Sequence, residues 1–420
     1  MAFQQRNIST NIARFTFIVY LTWSILYAPL KWIFNLAGVG FLFYLPKILL
    51  LFVVFLYLFL SAKTNKPTLF LIFMIIISSI VSYITMRNME QILFSVYIFI
   101  PFIFSIYFGN ELLNSASKKY FLFLWIMCCL GLLLNIFITF PWAGTSVDIG
   151  GKEVYVAKEW ATYGVSRYAG FSVASWSVAS QLLALGTYLY CFTERKFYKF
   201  LYFIVTLLFL LLTTAKGPIF AFLIMGVVTA ISNGKRYLIK YFYLPPLIIG
   251  IGLPLLSYIY WGMFVYSGHT SGSWLFTAET IFARMTVTWP LALDFIINKG
   301  SYLFGIGMGG IGSPLGYFYN GSDYDVSEFS FADSFYVYTF AVFGLLGIIS
   351  VILLVNRAKN MVWGNADSIF SSLLILELLY FGIVDAPYER DFFICFIGIA
   401  LANLYKRSKR TMTKKERYER

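Results

Sequence analysis

Charge is what this sequence has least of. Asp, Glu, Lys and Arg make up only 12% of its 420 residues, against roughly 25% in soluble globular chains. A surface that poor in charge cannot face water over most of its area. Histidine occurs once, at His269, and the four cysteines (Cys128, Cys129, Cys191 and Cys395) all lie inside apolar runs. None has metal-ligand spacing, so neither a metal site nor a disulfide framework is expected. No GxxxxGK[ST] run is present, which excludes a P-loop nucleotide site.

What is abundant is apolar surface: 60% of the residues are hydrophobic and 20% aromatic. In lipid, unpaired backbone groups are so costly that only helices or closed barrels span. Apolar runs of roughly 16 to 22 residues select helices, since about 20 residues at 1.5 Å each cross the hydrocarbon core. The pattern predicts an all-α polytopic membrane protein with about twelve transmembrane helices. They fall near 15–34, 42–62, 68–86, 92–109, 120–141, 173–193, 198–213, 217–232, 241–264, 334–355, 366–384 and 392–405. A single transmembrane domain over 1–405 is then followed by a basic tail, 406–420.

The net charge of +13 would point to nucleic acid in a soluble protein. Here the basic residues sit mostly at the ends of apolar runs, the signature of topology, and no nucleic-acid partner is expected. With both termini cytoplasmic, most Lys and Arg fall inside, including the eight in the tail, which suits anionic membrane lipid. Two long segments then lie outside, about 142–172 and 265–333. In the second, Thr288, Pro290 and Gly300 bracket a short helix lying along the membrane surface.

A few outside residues stand out. Arg167, Lys216 and Arg284 are cations on the face where the topology rule disfavours them, and a guanidinium fork or an ammonium suits phosphate oxygens. Gly305, Gly307 and Gly309 belong to the run Leu303-Phe304-Gly305-Ile306-Gly307-Met308-Gly309-Gly310-Ile311-Gly312, whose backbone could approach an anion closely. Asp333, at the mouth of a span, is placed to accept a hydroxyl proton or to cap the helix. Asp323 and Asp325 are spaced as a metal pair could be, but no third ligand is near. The turn Asp385 to Asp391 mixes charges and is positioned to close a site from the side.

These features resemble the O-antigen polymerase and O-antigen ligase superfamily of bacterial envelope glycosyltransferases. The residues that carry the resemblance are Arg167 with Gly170-Phe171, the Thr213-Thr214-Ala215-Lys216-Gly217 turn, Arg284, the glycine-rich run, and Asp333-Ser334 followed by Gly344 and Gly347. It covers roughly 160–355. The resemblance implies a C-type glycosyltransferase fold in the bacterial inner membrane and an undecaprenyl-diphosphate-linked oligosaccharide as substrate, with a chain-length regulator protein as partner and no cofactor. It assigns Asp333, Arg167 and Arg284 to catalysis, and Lys216, Gly170, Gly305, Gly307, Gly309 and Tyr336 to substrate binding. Ligases carry His where this chain has Asp333, which favours a polymerase. The alternatives are an O-antigen ligase and a lipid-linked oligosaccharide flippase, which would place charges mid-bundle, where Glu377 is one of few.

Overall fold

The computed structural model describes residues 2–60, 66–112, 117–149, 152–159, 161–162, 165–232, 236–263, 279–361 and 365–418. His269 lies outside them. The chain is mostly helical. In order come α1 (Ala2–Ile25), α2 (Tyr27–Leu36), α3 (Leu45–Leu60), α4 (Lys66–Met86), α5 (Met89–Leu112), α6 (Lys118–Phe137), α7 (Ser175–Phe192), α8 (Lys196–Thr213), α9 (Lys216–Ser232) and α10 (Leu244–Ile259). After the large loop follow α11 (Glu279–Ala283), α12 (Trp289–Lys299), α13 (Ser313–Phe318), α14 (Phe335–Lys359), α15 (Ala366–Phe381) and α16 (Asp391–Tyr418).

Each predicted apolar run holds a helix, but the segments do not all qualify as spans. Eight helices among the described residues are long and apolar enough to cross a membrane. One of them, 279–299, was expected as a shorter surface helix. The first predicted span, 15–34, is broken instead, with α1 and α2 meeting at 86°. The helix α9 and the apolar part of α16 are shorter, while α7 and α15 are almost wholly buried. These last two are walled by protein, so apolarity alone does not reveal their role. The basic tail continues the α16 helix as far as Tyr418.

Small residues set the closest packing. A Cβ on Gly109 of α5 would stand 2.8 Å from the Ala402 Cβ of α16, and one on Gly398 of α16 would stand 2.7 Å from the Ser105 Cβ. Without a hydrophobic drive between helices in lipid, such close backbone approach supplies dispersion contact. Gly186 of α7 leaves the same kind of space for Thr206 of α8.

Two departures from helix matter. The segment before α7 holds two small antiparallel hairpins, β1 (Ser146–Ile149) with β2 (Lys152–Tyr155) and β3 (Ala161–Thr162) with β4 (Val165–Ser166). Across β1 and β2 one apolar pair, Val147 with Val154, faces across the ribbon. The helix expected to start at Thr288 begins earlier, because a π-helical turn over Arg284–Thr288 joins α11 to α12. Thr288 makes no side-chain cap. Pro290 lacks the N–H for a regular bond and its ring would crowd the preceding turn, and a π-bulge absorbs both defects.

The large loop is tied into the bundle by its glycine-rich run. The amides of Ile306 and Gly307 donate to the Ala341 carbonyl at 2.8 and 3.1 Å, and Met308 donates to Ser78 of α4 at 3.2 Å. At the same level α14 is interrupted at Gly344, where φ is 59° and ψ is −150°. The Leu345 amide, on the far side of the break, donates to the Tyr302 carbonyl at 2.9 Å.

Candidate functional site

The predicted cations converge at one end of the bundle. The segment carrying Arg167 is pinned to α6, where the Asn135 Oδ1 accepts from the amides of Ala169 and Gly170 at 3.2 and 3.0 Å. Gly170 is needed for this seating. Its φ is +61°, and a Cβ there would lie 3.0 Å from backbone atoms of Gly131 and Leu132. Arg167 follows β4 directly. Lys216 opens α9 after a tight turn in which Thr214 has φ 56°. Gly217 beside it packs against Val384, so this turn meets the one that joins α15 to α16. Arg284 comes from the π-helical turn.

The charge of Arg284 is felt by both Arg167 and Lys216. The Arg167 guanidinium, half-buried, has its pKa lowered first by loss of water and then by the nearby charge of Arg284. Lys216, at the start of α9, is lowered by burial, then by Arg167 and Arg284. Like charges brought together in this way favour an anion between them.

Asp333 is the acidic member of the group. Its carboxylate pairs with Arg284, with the Nη2 to Oδ2 distance at 3.1 Å. The residue has φ 45° and Ala332 before it φ 48°, a left-handed conformation that costs a non-glycine residue about 1–2 kcal/mol. This geometry corrects the capping expectation. Ser334, not Asp333, caps α14 by accepting from the Val337 amide, so the Asp333 carboxylate is turned toward Arg284 instead. Trp289 fixes the approach, its indole N–H donating to the Ala332 carbonyl at 3.0 Å.

The turn after α15 lies within electrostatic reach of this group. Asp385 pairs with Arg390, Nη2 to Oδ1 at 2.8 Å. Burial pushes the Asp385 carboxyl up. Arg390 opposes that shift, the Asp333 charge adds to it, and Arg284 opposes it. Arg390 also sits 5.4 Å from the centre of the Trp176 ring at the start of α7, within cation–π range. Trp176 carried no signal in the sequence that set it apart from the other aromatics.

The remaining substrate-binding expectations are corrected. Gly305, Gly307 and Gly309 are buried, with φ values of +72°, +98° and +89°. A Cβ on them would strike the carbonyls of Ala341, Ser78 and Gln91 at 2.3, 2.2 and 2.7 Å. The close approach they permit is to other helices, and the amides of Gly305 and Gly307 are already bonded to Ser301 and Ala341. Gly170 likewise serves packing. Tyr336 is 2% exposed. Its hydroxyl donates to the Leu379 carbonyl at 3.2 Å and its ring fills the space left by Gly250, so it is core. Asp323 pairs with Lys299, and Asp325 accepts from Ser327, so neither is arranged for a metal. No cluster of three or more His, Cys, Asp or Glu suited to a metal occurs among the described residues.

The chain matches no protein-family model, no curated protein and no solved structure.

Proposed function

We propose that the protein is a polysaccharide polymerase of the bacterial inner membrane, joining undecaprenyl-diphosphate-linked repeats on its periplasmic face. The observation that carries this reading is that Arg167 and Lys216 lie within electrostatic reach of Arg284, which itself holds Asp333. Cations gathered from separate loops at the end of a helical bundle suit a membrane-bound diphosphate. The resemblance in motif order supports the same class of enzyme.

In the proposed step, a hydroxyl of the incoming repeat attacks the anomeric carbon of the growing chain. The new glycosidic C–O bond forms as the C–O bond to diphosphate breaks. The hydroxyl proton passes to Asp333, and undecaprenyl diphosphate leaves with the bonding electron pair, its growing charge met by Arg167, Arg284 and Lys216. Each such donor aimed at developing charge contributes on the order of 3–4 kcal/mol.

The test is product length in cells. Arg167→Ala, Arg284→Ala and Asp333→Ala are each expected to yield core bearing a single repeat on lipopolysaccharide gels. Bare core would indicate a ligase. Normal long chains from all three variants, at normal protein level, would reject the site.

A further inference from the structure

The turn between α4 and α5 carries a second polar site that the proposed reaction does not use. A cavity of about 580 Å³ opens there, lined from the turn by Arg87, Asn88 and Gln91, and from the large loop by Lys299, Tyr319 and Asn320. Its size falls within the usual range for small-ligand sites, about 300–1,000 Å³. Lys299 ends the same helical stretch that carries Arg284, so the two lie on the order of 20 Å apart along it.

Its charge differs from that of the cationic centre. Arg87 and Lys299 are balanced by Glu90 and Asp323, which also line the cavity, and Lys299 is already paired with Asp323. Nothing in that balance selects an anion. Gln91 adds an independent sign of a ligand. It is 1% exposed, and its Nε2 has no hydrogen-bond partner among the described residues. A buried donor left unmet costs about 1–3 kcal/mol, and Gln91, which lines the cavity, would recover that by turning its amide to an acceptor bound there.

We propose that this cavity is a glycan subsite, which holds an uncharged, hydroxyl-rich stretch of saccharide through amide and charged side chains of both signs. A hydroxyl is donor and acceptor at once, which matches a lining that offers both. The inference rests on the polymerase reading for the origin of the saccharide: the cationic centre takes the diphosphate, and this pocket takes sugar further along the chain.

The experiment uses the full-length protein in nanodiscs with two probes. One is oligosaccharide released by mild acid from the producing cell's surface polysaccharide, and the other is inorganic pyrophosphate. Gln91→Met and Asn320→Trp, the second at an exposed position where added bulk fills the mouth, are expected to weaken oligosaccharide binding by about tenfold or more and to leave pyrophosphate binding within about twofold. Wild-type protein that binds no oligosaccharide, or binding unchanged in both variants, overturns the subsite. Pyrophosphate binding that survives Arg167→Ala and Arg284→Ala would instead count against the cationic centre, so the two failures are separable.

Discussion

Both nitrogens of Arg284 that reach Asp333, Nε at 3.2 Å and Nη2 at 3.1 Å, converge on one carboxylate oxygen, Oδ2. The pairing orients the carboxylate and leaves Oδ1 for a second task. Asp333→Asn keeps the shape and removes the proton acceptor. It is expected to lower polymerisation by about a hundredfold or more while retaining pyrophosphate binding. Arg284→Lys replaces a fork with a point charge and is expected to weaken both. Rates from reconstituted protein with lipid-linked repeats, set beside calorimetric binding, check the split.

The clustered cations predict stabilisation by an anion. Inorganic pyrophosphate should raise the thermal midpoint of the detergent-solubilised protein, by an amount equivalent to about 2.7 kcal/mol at a hundred times its dissociation constant. Lys216→Ala should shrink the shift and Lys216→Arg preserve it. A shift that is insensitive to both substitutions would place the anion elsewhere.

Gly305→Ala and Gly307→Ala test the packing role of the glycine-rich run. Each puts a methyl against a carbonyl at a positive φ, which is expected to cost about 3 kcal/mol or more. The expected result is a lowered thermal midpoint and less protein in the membrane, with the surviving molecules keeping normal affinity for pyrophosphate. A phosphate cradle would show the opposite, with normal stability and lost affinity.

Glu389 gives a pH dependence with a defined sign. Burial pushes its carboxyl up from the ordinary 4.5, with Asp385 adding and the Ser313 bonds and Arg390 opposing. The folded chain therefore keeps a proton that the unfolded chain has released. That contribution is fully present below the unfolded value and is lost as pH rises through the folded one. Asp385, also raised, acts in the same direction. Stability should fall from about pH 4 upward, and Glu389→Gln should flatten the slope, as read by thermal unfolding in detergent across that range.

Glu377 separates an enzyme from a proton-coupled flippase. It is fully buried in α15 and accepts from the Thr187 hydroxyl at 2.5 Å. Intramembrane carboxylates often carry protons in transporters. A polymerase with its chemistry at the end of the bundle should keep its polymer in Glu377→Gln at matched protein level, whereas a proton-driven flippase would leave repeats on the cytoplasmic side.

The sequence made the polarity of the site legible because, in the threading with both termini inside, Arg167, Lys216 and Arg284 fall against the topological bias, and an exception to a physical rule needs no neighbours to be visible. Their meeting was expected only through the resemblance, since they belong to separate loops and nothing in their spacing joins them. The glycines misled for a definite reason: room for a ligand and room for another helix look alike in a sequence. Asp333 and Ser334 are both good caps, and only the left-handed backbone at Asp333 decides between them. The π-helical turn that presents Arg284 left no periodic trace, because it adds one residue to an otherwise ordinary amphipathic stretch.

The interruption of α14 at Gly344 has a consequence for engineering. The backbone groups on either side of the break are completed by Tyr302, Ile306 and Gly307 of the preceding loop. Deep in a bilayer nothing else would complete them. Loop and helix therefore form one heritable module. A chimaera that replaced the segment before α14 without its adjoining helix would strand polar groups in hydrocarbon, so swaps of this segment need their splice points at 279 and 360, not at the edges of the loop.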